Sequence, residues 1–310
     1  MLLQLVRMTT ALYTHPLFLQ HETGPGHAES PARLTHILAA LEGVSGLERR
    51  SAAAATQAQL LRVHERAYLD MLSVFGPGAL DADTVLSAYS YDAALHAAGA
   101  VCAAVDAVMA GEINNAFCAV RPPGHHAEPG QAMGFCLLNN VAVGALQAQQ
   151  VQGCTRVAVL DFDVHHGNGT QMVAWDNPHV FFGSSHQWPF YPGTGAADEC
   201  GAYGNIVNAP LAAGAGSRAF RAAWRERILP ACRDFAPDFI LLSAGFDAHQ
   251  DDPLGGLGLQ EDDFGWLTGE ILALAAQTCA GRVVSVLEGG YNLAATADSA
   301  AIHVAHLAGA

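Results

Sequence analysis

Five short runs of apolar, largely β-branched or aromatic residues constrain the fold more than any other feature: Ala116 to Val120, Val157 to Phe162, Val180 to Phe182, Phe239 to Leu242 and Val283 to Leu287. None shows the strict apolar–polar alternation of a strand with one wet face, so each is expected to be covered on both sides. Leu138 to Gln150, Arg218 to Phe235 and Asp262 to Ala280 read as helices between them. Upstream, Ser30 reads as an N-cap with Pro31 in the first helical position. Leu34, Ile37, Leu38 and Leu41 then recur on one face until Gly43 stops the helix. A second, Ala-rich helix runs from Tyr91 to Ala110. Buried strands alternating with helices predict an α/β fold: one domain over residues 1–310, with a mainly parallel central sheet and helices on both faces.

Polar residues collect where the runs end. Arg121-Pro-Pro-Gly-His125-His126 follows the first, Asp161-Phe-Asp163-Val-His165-His166-Gly-Asn168 ends the second, Ser243-Ala-Gly-Phe-Asp247 ends the fourth and Glu288-Gly-Gly-Tyr291 ends the last. Ligands of open α/β sheets bind beyond the carboxyl ends of the strands, so these clusters are expected to meet at one site there. Asp163, His165 and Asp247 would form an O,N,O donor set, two carboxylates and a neutral imidazole balancing a divalent cation, with an open position for water and substrate. Such an ion lowers the pKa of water and polarises a carbonyl. The Pro122-Pro123-Gly124 turn can aim both His125 and His126 into one cavity, where a pair offers a general base beside an acid or cationic stabiliser. Tyr291, after two glycines, can point its phenol at a developing oxyanion.

Composition narrows the partners. With 51% apolar and 14% charged residues the chain is not disordered, and no apolar run is read as reaching the roughly 18 residues that cross a bilayer. Met1 to Pro16 lacks the pattern of an export signal. A net charge of −15 argues against a nucleic-acid backbone and suits cationic partners. Seven Cys with no CxxC pair, mostly in apolar contexts, suggest buried thiols in a reducing compartment, and the expected location is cytoplasmic. A homo-oligomer is compatible with all of this.

Taken together, the motifs resemble the zinc-dependent histone deacetylase family, within the arginase–deacetylase fold. The resemblance spans about Tyr13 to the C-terminus and rests on Arg121-Pro-Pro-Gly-His-His-Ala-Glu128, Gly134-Phe-Cys-Leu-Leu-Asn-Asn140, Asp161 through Gln171, Tyr191-Pro-Gly-Thr-Gly195, Ser243 through Asp247, Asp252-Pro-Leu-Gly-Gly256 and Leu287-Glu-Gly-Gly-Tyr-Asn292. The Arg-Pro-Pro start and the His-His-Gly-Asn-Gly-Thr-Gln run look like class II. The resemblance implies zinc on Asp163, His165 and Asp247, with His125 and His126 as the catalytic pair. It makes Tyr291 the residue that polarises the amide carbonyl and Asp161 the one that orients His125. Asn168 stands where class I carries an Asp behind the second His, so His126 should rest neutral. Gly134, Phe135 and Tyr191 would wall a tunnel for the acyl-lysine stem. A monovalent cation, K+ or Na+, would sit behind the zinc on backbone carbonyls, around Asp161, Asp163, His165 and Ser184. His166 and Asn292 would support loops.

Three alternatives define what must be tested. A binuclear ureohydrolase needs a further Asp where this chain has Gly167, and another where it has His249. An acetylpolyamine deacetylase with strict preference carries an acidic gatekeeper where this chain has Leu254, which favours acetylated lysine in proteins or peptides over acetylated polyamines. A non-catalytic acyl-lysine binding module would lack Tyr291 or a ligand. At the rim, Asp83 could grip a substrate backbone, and His21, Glu22 and His27 could line the mouth or cap the helix from Ser30.

Overall fold

The computed structural model describes residues 9–309, so the first eight residues of the stretch read for an export signal lie outside it. Eight strands form one sheet: β1 (Thr10–Tyr13), β2 (Leu47–Arg50), β5 (Asn115–Cys118), β6 (Val157–Asp161), β7 (Val180–Gln187), β8 (Ile206–Leu211), β9 (Phe239–Ala244) and β10 (Val283–Leu287). A small antiparallel pair, β3 (Gly78–Ala79) and β4 (Val85–Leu86), stands apart. The large sheet has the order β2-β1-β5-β10-β9-β6-β7-β8, and every pairing is parallel. The expected α/β architecture is therefore present, and the order adds a decisive fact. β9 and β10 come late in the chain but fill the gap between β5 and β6, which brings the four cluster-bearing strand ends side by side at the sheet centre.

The helices are α1 (Pro31–Ala40), α2 (Gln57–Leu60), α3 (Arg66–Phe75), α4 (Ser90–Met109), α5 (Asn140–Gln150), α6 (Asn168–Trp175), α7 (Ser217–Ala223), α8 (Leu229–Phe235), α9 (Glu261–Thr278) and α10 (Leu293–Ala308). On one face α10 packs against both α1 and α9, and on the other α4 packs on α5. Several expectations are corrected. Arg218 to Phe235 is two helices joined by a π-helical turn at Trp224–Ile228, where Pro230 lacks the N–H that a regular helix needs there. Ser30 occupies the N-cap position of α1 but its side chain makes no capping bond. α4 is long and apolar enough by length and composition to cross a membrane, contrary to the expectation from sequence, and 67% of that span is buried inside the protein. Strands β1, β2 and β8 and helices α6 and α10 carry no clear periodic signal and add to the elements expected. β2 (Leu-Glu-Arg-Arg) is a half-exposed edge strand, and β8 is the opposite edge, where Pro210 is tolerated.

Candidate active site

The donor set is built by short bonds around the end of β6. Asp161 Oδ1 accepts from Asp163 N (3.1 Å), Asp163 Oδ1 from His165 N (2.9 Å) and Asp247 Oδ1 from Val164 N (2.8 Å). The backbone at 163–165 bends rather than running extended, and these carboxylates hold the bend. His165 Nδ1 lies 3.1 Å from Asp163 Oδ1 and 3.2 Å from Asp247 Oδ2, and the three residues' donor atoms lie within 4.8 Å of one another. Apart from that His165 contact, the buried Asp247 Oδ2 has no hydrogen-bond partner among the described residues. Gly289 N donates to Asp163 Oδ2 (2.9 Å), and a Cβ on Gly289 would fall 2.1 Å from Asp247 Oδ2, so only glycine lets β10 close this side.

Electrostatics make the set fit a cation. Burial, then the Asp163 carboxylate, pushes Asp247 up. Burial also disfavours charge on His165, but Asp163 and Asp247 outweigh it and raise the imidazole to about 10. Two carboxylates and an imidazole suit a divalent ion in both charge and donor chemistry.

The histidine pair converges as the Pro-Pro-Gly turn suggests. Glu288 Oε2, from a residue to which the sequence assigned no role, accepts from Gly124 N (2.6 Å) and His125 N (3.1 Å) and fixes the turn. The two rings lie 4.0 Å apart. His125 Nδ1 pairs with Asp161 Oδ2 (3.0 Å), and His126 Nδ1 with Asn168 Oδ1 (2.8 Å). Burial opposes charge on His125, yet Asp163 and Asp161 raise it to about 10. His126 is held well below the usual range by burial, then by His125 and His165. Its neutrality thus comes mainly from burial, then from the charged His125 beside it. The Asn168 contact, like the Asp163 charge, pulls the other way.

A cavity of about 240 Å³ opens onto these groups. The expected walls Gly134, Phe135 and Tyr191, the Leu254 position and, of the rim candidates, Asp83 line it, together with His126, His165, Tyr291 and Phe190. Phe190, which the sequence does not single out although it directly precedes Tyr191, stacks on His165 at 5.3 Å and 13°. Gly134 has φ 55°, and a Cβ there would sit 2.5 Å from His126 Cδ2. Tyr291 is held from behind: Asp252 Oδ2 accepts from its N–H (2.7 Å) and from Asn292 N (3.2 Å), and Arg33 lies under its ring at 4.8 Å. The rim candidates separate. His27 Nε2 donates to the Asp83 carbonyl (3.0 Å) and braces the rim. His21 is buried against Ser90 and Glu29, in an ion cluster with Arg33 and Arg121, rather than at the mouth or as a cap. Glu22 is exposed, and its N–H donates to Ser87 Oγ.

Ser184 faces Asp161 across the β6–β7 register and shares a hydrogen bond with His186 (2.9 Å). His166 bonds Thr194 and Gln171, and Asn292 caps α10, both supporting loops. A Cβ at Gly167 would fall 2.4 Å from Asp161 Oδ2, which leaves no room for the second-metal carboxylate, and His249 lies outside the donor group.

The fold and site therefore define an α/β protein whose central strand ends carry a three-donor metal-type centre at the foot of a narrow pocket. The histone deacetylase domain model matches residues 27–307. The chain is 40% identical over 311 residues to a histone deacetylase-like amidohydrolase of Pseudomonas aeruginosa, covering 91% of this chain and 82% of that one. It is 40% identical over 297 residues to a probable deacetylase of Archaeoglobus fulgidus, covering 92% and 82%. The crystal structure of the HDA15 HD domain superposes with a TM-score of 0.92 at 37% identity, covering 97% of this chain and 90% of that one. This chain belongs to the histone deacetylase family.

Proposed function

We propose that this protein is a zinc-dependent amidohydrolase, of class II pattern, that removes acetyl or another acyl group from a lysine side-chain amine. The observation that carries the reading is the pocket itself: one narrow, mainly apolar cavity has Asp83 and Leu254 in its lining and His126, His165 and Tyr291 against the donor set. Asp163, His165 and Asp247 would hold the zinc, which supplies Lewis acidity that acidifies water and polarises the amide carbonyl. Phe135, Phe190 and Tyr191 enclose an aliphatic stem and exclude bulk water. Neutral His126, with Nδ1 tied to Asn168, takes the proton from water on Nε2. Charged His125, held by Asp161, supplies positive charge beside the developing negative charge. The Tyr291 hydroxyl donates to the carbonyl oxygen as its charge grows. Asp161 and Ser184, with nearby backbone carbonyls, would hold a K+ or Na+ ion.

Leu254 offers no carboxylate to a distal ammonium, which favours acyl-lysine. Asp83 at the same cavity favours a second reading, an acetylpolyamine deacetylase with identical chemistry. Turnover on an acetyl-lysine peptide, on longer acyl-lysines and on acetylated polyamines ranks the two. Asp247→Ala should lose both turnover and stoichiometric zinc, and an Asp247→Ala protein with full zinc and full activity overturns the assignment.

A further inference from the structure

Asn168 makes more contacts than its role as a ring partner requires. Its Nδ2 faces three acceptors: Glu128 Oε1 at 2.7 Å, Met133 Sδ at 3.2 Å and the His126 carbonyl at 3.4 Å. A carboxylate, a thioether and a carbonyl cannot donate, so the amide cannot be turned end for end without setting its oxygen against all three. Its Oδ1 must then face His126 Nδ1, 2.8 Å away, and Nδ1 must carry the proton. Nε2 is left as the ring's only proton acceptor.

We propose that Glu128 is a positioning residue for His126: acting through the Asn168 amide, it fixes the imidazole tautomer and supplies the negative charge that residue 168 itself lacks. The carboxylate is set one residue further back, with a neutral amide as the link. When Nε2 accepts a proton from water, the ring charge grows, and both Nδ1–H···Oδ1 and Nδ2–H···Oε1 polarise in the same sense. Glu128 is anchored for this. Its backbone N–H donates to the Gln131 carbonyl (2.9 Å), and its own carbonyl accepts from His64 Nδ1 (3.1 Å). The arrangement also bars an aspartate at 168, because a second carboxylate would meet Glu128 at hydrogen-bond distance with no proton between them.

The inference rests on the reading of His126 as the proton acceptor, and the experiment separates the two. Imidazole 15N shifts of the full chain should show His126 with hydrogen on Nδ1, and Glu128→Ala should mix or reverse that tautomer. This arm needs no turnover. In kinetics on an acetyl-lysine peptide, Glu128→Gln should lower kcat on the order of tenfold with KM within about twofold. Asn168→Asp should lose at least as much, and the charge swap Asn168→Asp with Glu128→Gln should recover most of the Asn168→Asp loss. The proposal is overturned by a wild-type ring protonated on Nε2, by a Glu128→Gln enzyme with unchanged kcat, or by a swap no better than Asn168→Asp alone. A wild-type protein that turns over no acyl amide sinks the proposed function, and the tautomer result still decides the role of Glu128.

Discussion

At the scale of single residues, the site works by opposing environments for like groups. His125 and His126 are neighbours in sequence, yet carboxylates favour charge on one while burial, then the adjacent His125, favours the neutral form of the other. In the proposed mechanism, Tyr291 is the residue whose contribution is most confined to the transition state, because it is neither in the donor group nor a base. Tyr291→Phe should therefore lower kcat about 10²–10³-fold with little change in KM and with zinc content intact. An unchanged kcat would reduce Tyr291 to wall packing. Gly134 is equally exposed to test. The 2.5 Å approach of a Cβ to His126 and the positive φ should make Gly134→Ala strongly impaired in kcat, read against a circular-dichroism check that the fold persists.

At the scale of elements, the strands set positions and buried polar ties hold the layers. His303 on α10 spans two neighbours, Thr268 of α9 (2.6 Å) and Ser285 of β10 (2.8 Å). Thr268 gives its own proton to the Phe264 carbonyl, so His303 must donate from Nδ1 and accept from Ser285 on Nε2. It is neutral, and burial depresses it to about 3. His64, which accepts from Asn139 N and donates to Glu128 O, is likewise depressed to about 4, chiefly by burial. Unfolding returns both to about 6.5, so below that pH the unfolded chain binds more protons and stability falls as pH falls towards 4. Each should contribute about 1.4 kcal/mol per pH unit across that window. Denaturant unfolding of the wild type and of His303→Gln at pH 6.5 and 5 checks this: the variant should lose less stability between the two pH values, and an identical loss in both proteins would contradict the neutral assignment of His303.

At the scale of the molecule, the sheet order assembles a buried, carboxylate-rich centre whose donor chemistry suits a cation. Asp163 and Asp247 are both buried, and apart from its His165 contact Asp247 Oδ2 has no hydrogen-bond partner among the described residues. Binding to the folded state alone should raise stability by about 2.7 kcal/mol at a zinc concentration 100 times Kd. Thermal melts with zinc and with a chelator should differ accordingly, and the difference should vanish in Asp247→Ala. A chelator that leaves both the melt and the activity of the wild type untouched would argue against a metal centre.

The chain's residue order by itself determined the class of fold, since runs such as Val157 to Phe162 and Phe239 to Leu242 have no polar face and must be covered on both sides. It also marked Asp163, His165, Asp247 and the His125–His126 pair as candidates, because metal and acid–base chemistry demand particular side chains at strand ends, whereas the candidate tunnel residues came from the family resemblance. What it could not express is proximity between segments far apart in the chain. Glu288 holding the 124–125 turn, Asp252 holding Tyr291, Glu29 between Arg33 and Arg121, and Glu128 behind Asn168 are ordinary acidic residues in sequence. Each met its partner only through the tertiary fold, and Glu29, Asp252 and Glu288 did so where burial removes the water that would otherwise have solvated them.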